Sequence, residues 1–209
     1  MNARPLNLDS WARKEHFEFF SQFDEPFFGV TINVDCGSAY KKCKEHSISF
    51  FSYYLHKTLL AANAVEPFRY RTDGSQVWIY DRIDASPTIM RPDGTFGFGL
   101  VEFQPNFELF AKSLEIEVAR VTSVPNLFTR DYPDNLLHIS ALPWLDFTAI
   151  SHARRFGKGD SCPKISFGKL NAQPNGAYTM PVSIHVHHGL IDALHVAQFT
   201  EIFTREMGR

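Results

Sequence analysis

Tyr178-Thr179-Met180-Pro181-Val182-Ser183-Ile184-His185-Val186-His187-His188-Gly189-Leu190-Ile191-Asp192 is the stretch from which the rest of the chain can be read. Val182, Ile184 and Val186 alternate with Ser183, His185 and His187. That period of two puts apolar side chains on one face of a β-strand and polar ones on the other. The spacing predicts a strand over Tyr178–His187. Beyond Gly189, Val196, Phe199, Ile202 and Phe203 recur at helical spacing and predict a helix over Ala193–Glu206, with Asp192 placed to cap it.

The same two periods organise the upstream sequence. Helical spacing appears from about Asp9 to Phe23, with Asp9 or Ser10 as cap, over Ser49–Asn63, and over Asn106–Val121. Alternation marks a strand through Val30, Ile32 and Val34. Asp73-Gly74 turns a hairpin between Phe68–Arg71 and Val77–Tyr80. Further strands are expected at Thr95–Phe103, Leu136–Ser140, Phe147–Ser151 and Lys164–Leu170. Helices and strands mix without regular βαβ alternation, which favours an α/β (α+β) fold with a mixed or antiparallel sheet covered by helices. No repeat or long linker divides the chain, so residues 1–209 read as one domain.

Composition narrows the function classes. Hydrophobic residues make up 44% and charged residues 21% of 209, a globular balance. With 21 Lys and Arg against 23 Asp and Glu, the net charge of −2 offers no basic footprint for nucleic acid or for an anionic membrane surface. No apolar run is long enough to span a bilayer. Three cysteines do not make a disulfide framework, and the amino terminus lacks the apolar core of a signal peptide, so a cytoplasmic protein is expected. Twenty phenylalanines imply wide apolar walls in a core, a pocket or an interface.

The histidines at the end of the strand admit three readings. His185 and His187 share a strand face and could begin a zinc site, completed by His188, Asp192 or His195, as in a metal-dependent hydrolase. His188 could instead be a packed core histidine. The third reading is a general base: an imidazole at a rigid strand end, beside an open space, is largely able to accept a proton at neutral pH. Asp192, four residues on, could orient that ring or act as an architectural anion, and spacing does not separate these two roles.

His187-His188 followed by Asp192 at the close of a strand resembles the H-H-x-x-x-D motif of the chloramphenicol acetyltransferase family. Trp11-Ala12-Arg13-Lys14-Glu15-His16-Phe17 is similar to that family's opening, and Pro67-Phe68-Arg69-Tyr70-Arg71 with Asp73-Gly74 to its next block. Ser140-Ala141-Leu142-Pro143-Trp144 with Phe147-Thr148, and Ser166-Phe167-Gly168-Lys169, complete the order. The resemblance implies a two-layer α/β sandwich assembled as a homotrimer, with active sites between subunits. It implies acetyl-CoA as co-substrate, a small-molecule hydroxyl acceptor, and no metal.

By the same resemblance His188 is the catalytic base, Ser140 stabilises the tetrahedral intermediate, and Asp192 and Arg13 form a buried structural pair. Phe28, Phe96, Phe128 and Ser166 fall at acceptor-pocket positions, and Lys169 at a contact to CoA. Two departures stand out. Ala193 replaces a glycine, which helical φ would accommodate, and Phe28 replaces a tyrosine of the drug-acetylating members. A trimer that binds CoA or a small molecule without turnover is the non-catalytic alternative.

Overall fold

Among the described residues (2–153, 159–174 and 176–209), the computed structural model runs β1 (Ala3–Pro5), α1 (Lys14–Phe20), β2 (Phe27–Asp35), α2 (Gly37–Glu45) and α3 (Phe50–Ala64). It continues with β3 (Tyr70–Thr72), β4 (Val77–Tyr80), β5 (Asp84–Met90), β6 (Phe96–Phe98) and α4 (Phe107–Thr122). The last third holds β7 (Leu136–Ala141), β8 (Lys164–Phe167), β9 (Asn171–Ala172), β10 (Tyr178–His187) and α5 (Ala193–Met207). Short polar caps start the long helices. Ser49 Oγ accepts from Ser52 N ahead of α3, and Asn106 Oδ1 accepts from Leu109 N ahead of α4.

The main sheet has the order β2-β10-β8-β7-β5-β6, with β9 also beside β10. It is mixed: β5–β7 and β7–β8 are parallel and the other pairs antiparallel. A small antiparallel sheet, β1-β4-β3, lies apart from it in pairing. Helices cover one face of the main sheet. Val182, Ile184 and Val186 of β10, with Ile165 and Phe167 of β8, are buried in the same core as Leu55 and Leu59 of α3, Phe110 of α4, and Phe199 and Phe203 of α5. Two layers, one of sheet and one of helix, result.

Several sequence expectations move. Helix α1 is shorter than Asp9–Phe23: a 3-10 turn at Leu8–Ser10 comes first, capped by Asn7, and Arg13 rather than Asp9 or Ser10 precedes the helix proper. Helix α2 had no sequence counterpart, because only Ala39 and Cys43 are buried in an otherwise polar segment. Strand β5 was also absent from the reading. It contains Pro87 and is almost wholly buried, so it lacks alternation. Conversely, 147–151 is irregular rather than a strand, and the Thr95–Phe103 strand is reduced to β6 and a bridge at Val101.

Phe199 stacks on Phe68 with ring centroids 4.8 Å apart, and both are fully buried. Truncating one removes its contacts and leaves a cavity. Phe199→Ala is therefore expected to cost about 3–5 kcal/mol of stability, read from urea or guanidinium unfolding; a loss below about 1 kcal/mol would contradict this packing.

Candidate active site

His188 follows the last residue of β10 and turns the chain sharply. Its N–H donates to Pro26 O at 2.7 Å, and Leu190 and Ile191 N–H groups both donate to His187 O. Gly189 is required by proximity: a Cβ there would lie 3.3 Å from Phe17 Cα and 3.0 Å from the His187 ring. The half-buried His188 ring is held by aromatic faces. It stacks on Phe20 at 4.2 Å and lies 4.5 Å from Phe28. Its Nδ1 is buried with no hydrogen-bond partner.

Asp192 is an architectural anion rather than the group that orients the ring. Its Oδ2 accepts from Arg13 Nη1 at 2.8 Å, and its Oδ1 accepts from Ala193 N at 2.6 Å, capping α5. Arg13 Nη2 donates to His188 O at 2.9 Å, so one guanidinium ties the α1 entry to both ends of the turn. His195 Nδ1 accepts from Asp192 N, closing a capping box. The Arg13 hydrogen bond holds the Asp192 carboxyl below its ordinary value of 3.8. Ala193 takes the first helical position of α5, and among the described residues only Ser47 is a non-glycine with positive φ. The alanine is unstrained, as expected.

The face of the sheet opposite the helices is polar. One rung, in register, runs Ser140–Ser166–Ser183–Thr31 across β7, β8, β10 and β2. The next runs Ser86–His138–Lys164–His185–Gly29. Gly29 has no room for a side chain, since a Cβ would fall 2.5 Å from the His185 ring. Ser166 is fully buried and meets His152 Nε2 at 3.3 Å. Ser140 is half-buried, and among the described residues its hydroxyl has no hydrogen-bond partner.

Two clefts open at Ser140. One, about 650 Å³, is apolar, with Phe50, Phe51, Trp144, Leu170 and Met180 in its walls. The other, about 740 Å³, is mixed, with Phe96, Phe98, Phe128 and Tyr132 on one side and His138, His152 and Lys164 on the other. Thr88, Phe96 and Ser140 line both. Lys169 is exposed between Gly168 and Leu170, which line the apolar cleft, and is not itself in that lining.

The structure thus brings Arg13, His188 and Asp192 together, and Ser140 with Phe96 and Phe128, but the two groups are apart. His188 lies five positions from Ser183 along β10 and Ser140 two strands away, a separation of about 19 Å from standard strand spacings. Phe28 and Ser166, expected at the acceptor, line neither cleft; Phe28 instead backs His188. Phe20 and His138 went unread. Phe20 is one residue in a run of aromatics, and His138 an isolated histidine whose surroundings appear only in the sheet. His185 and His187 point to one strand face, and burial pushes the His187 ring down to about 4. Among the described residues no three His, Cys, Asp or Glu side chains are grouped to hold a metal ion, and no helix is long and apolar enough to cross a membrane.

A mixed sheet with one helical layer, a histidine closing its long strand and a hydroxyl between two clefts define a chain of the CoA-dependent acyltransferase fold. The chloramphenicol acetyltransferase family model matches residues 1–204, and the chain belongs to that family. The chloramphenicol acetyltransferase of Bacillus pumilus is 26% identical over 92% of this chain and 88% of its own length. A solved chloramphenicol acetyltransferase superposes with a TM-score of 0.89 at 28% identity, covering 99% of this chain and all of the other. The dihydrolipoamide acetyltransferase of Azotobacter vinelandii, at 13% identity and TM-score 0.68 over 93% of this chain and 86% of its own, shares the fold.

Because Asp192 has a lowered pKa in the folded chain, it stabilises above the ordinary carboxylate range, and that contribution is lost as pH falls through the folded value. Asp192→Asn keeps a capping side chain but not the charge. For this half-exposed pair the variant is expected to lose about 1–2 kcal/mol near pH 7. The difference from wild type should narrow as pH falls below 3.8, the ordinary carboxyl value. Denaturant titrations at several pH values check it; a difference independent of pH would refute the assignment.

Proposed function

We propose that this protein is an acetyl-CoA-dependent O-acetyltransferase that works as a homotrimer, with His188 of one copy facing Ser140 of the next. The observation that carries the reading is the Ser140 hydroxyl, unpartnered among the described residues, at the junction of two clefts. The apolar cleft suits the pantetheine arm of acetyl-CoA, with exposed Lys169 next to two of its lining residues for a phosphate. The mixed cleft suits a small alcohol resting on Phe96 and Phe128. Chloramphenicol is one candidate acceptor.

Within one chain about 19 Å separates base from oxyanion donor, too far for one acyl carbon to meet both. A rotational repeat of one heterologous contact, closing as a ring, supplies each Ser140 with another copy's His188. His188 then removes the proton of the acceptor hydroxyl as its oxygen attacks the thioester carbonyl. The electron pair moves to the carbonyl oxygen, where the Ser140 O–H donates a hydrogen bond worth about 3–4 kcal/mol in the transition state. Collapse expels the CoA thiolate, which takes the proton from His188. Arg13 and Asp192 position the base by fixing its backbone, and Phe20 and Phe28 fix its ring. The three cysteines are free thiols, which fits a reducing cytoplasm.

Thiol release from acetyl-CoA, screened across alcohols that include chloramphenicol, tests the activity. His188→Ala is expected to abolish it and Ser140→Ala to lower it about a hundredfold or more, with folding intact. The shared site is tested by mixing. Trimers reassembled from equal parts His188→Ala and Ser140→Ala subunits should regain roughly a quarter of the wild-type sites, since one pairing in four unites both intact residues. No recovery in demonstrably mixed trimers would overturn the cross-subunit site. Tight acetyl-CoA binding with no turnover on any alcohol would favour the non-catalytic alternative.

A further inference from the structure

The rung beside Ser140 carries three basic residues, and one of them is open. Lys164 is 6% exposed; its ammonium binds both oxygens of Asp160 at 2.9 and 3.0 Å and lies 4.5 Å over the Phe27 ring. His185 is buried, edge-on to His152 at 4.8 Å. His138 alone of the three basic residues is exposed, and it lines the mixed cleft.

Behind it lies Cys162, whose thiol donates to Leu136 O at 3.0 Å and whose charge interacts with the ring. Burial would raise the Cys162 thiol, yet the His138 ring, with the Arg71 and Lys164 charges behind it, brings it down to about 7. His138 lines the cleft, so a ring nitrogen is available to a molecule bound there. It is an accepting nitrogen in the neutral ring and a donor in the charged one. A hydroxyl or carboxamide answers both states, since each donates and accepts; a methyl group answers neither.

Strand geometry sets the reach. His138 and Ser140 are two apart on β7 and share a face, with Cα atoms about 7 Å apart. Facing them, Phe96, Phe98 and Phe128 form a continuous aromatic rim, with centroids 5.6 and 5.2 Å apart.

We propose that His138 selects the acceptor: an alcohol with a flat apolar body on the Phe96–Phe128 rim and a second polar group, hydroxyl or carboxamide, hydrogen-bonded to the His138 ring. This rests on the acyl-transfer reading, and the experiment separates the two. Acetylation of 2-phenylethanols carrying a 4-carboxamide, 4-carboxylate or 4-methyl group is compared in the full-length protein. The wild type should favour the carboxamide over the methyl compound by about tenfold in kcat/KM. The carboxylate shows whether net charge alone suffices; a carboxylate preferred to the carboxamide overturns the neutral class.

His138→Phe should raise the KM for the carboxamide toward that for the methyl compound and so erase the preference. His138→Gln, which keeps a hydrogen-bonding tip, should retain most of it. A His138→Phe protein that still discriminates, or a wild type that does not, overturns the proposal. If no alcohol is acetylated, the acyl-transfer reading fails instead. Calorimetric binding of the same pair then decides the inference: tighter carboxamide binding that requires His138 upholds it, and equal binding ends it.

Discussion

Strand β10 cannot shift by one residue. Its even positions, Val182, Ile184 and Val186, are in the helix-covered core, and its odd positions, Ser183, His185 and His187, are on the opposite face; all six are buried. A slip of one would drive two imidazoles and a hydroxyl into the apolar layer and strand three aliphatic side chains among polar ones. Every other feature of the site inherits this register. It aligns Ser183 with Ser166 and Ser140, it sets His185 against Lys164 and His138, and it delivers His188 to the strand end, where Arg13 can reach its carbonyl.

That strand and the helix after it were legible because nothing competes with their signals. Alternation over Tyr178–His187 and the helical apolar spacing beyond Asp192 each run for several uninterrupted periods, and the observed bounds match closely. Elsewhere tertiary burial hid the signal. Strand β5 is buried on both faces, so Asp84, Ser86 and Pro87 look like loop residues. In the structure Asp84 is held by Arg82 and Asn135, and Pro87, which has no N–H to give, accepts from Gly99 N through its carbonyl. Phe147–Ser151 carries apolar residues that cover a surface rather than join the sheet, and periodicity does not distinguish those uses.

The site was legible in parts and not as a whole. A residue whose partner is near in sequence, such as Asp192 capping the helix that begins at Ala193, follows from spacing. The Arg13–Asp192 pair joins residues 179 apart and was carried by resemblance alone, although the geometry is now explicit. Phe28 illustrates the limit. The resemblance put it at an acceptor-pocket position, and its register with Val186 sets the ring against His188, a contact that no spacing in the sequence announces. Phe20 does the same from α1. Both were hidden because a ring's neighbours depend on where a helix crosses a sheet edge.

The polar face also explains why a hydroxyl remains free at Ser140. Buried polar groups normally close on one another, and part of this face does so, Ser166 with His152 and Lys164 with Asp160, while Ser183 Oγ and His187 Nδ1 are buried without a hydrogen-bond partner among the described residues. Ser140 lies where β7 emerges from between β8 and β5 at the meeting of the clefts, so its hydroxyl can stay open at little desolvation cost. His138, one rung away, is open for the same reason. The closed pairs stiffen the floor; Ser140 and His138 sit at its edge, and the hydrogen bond proposed for Ser140, made only in a transition state, requires such stiffness.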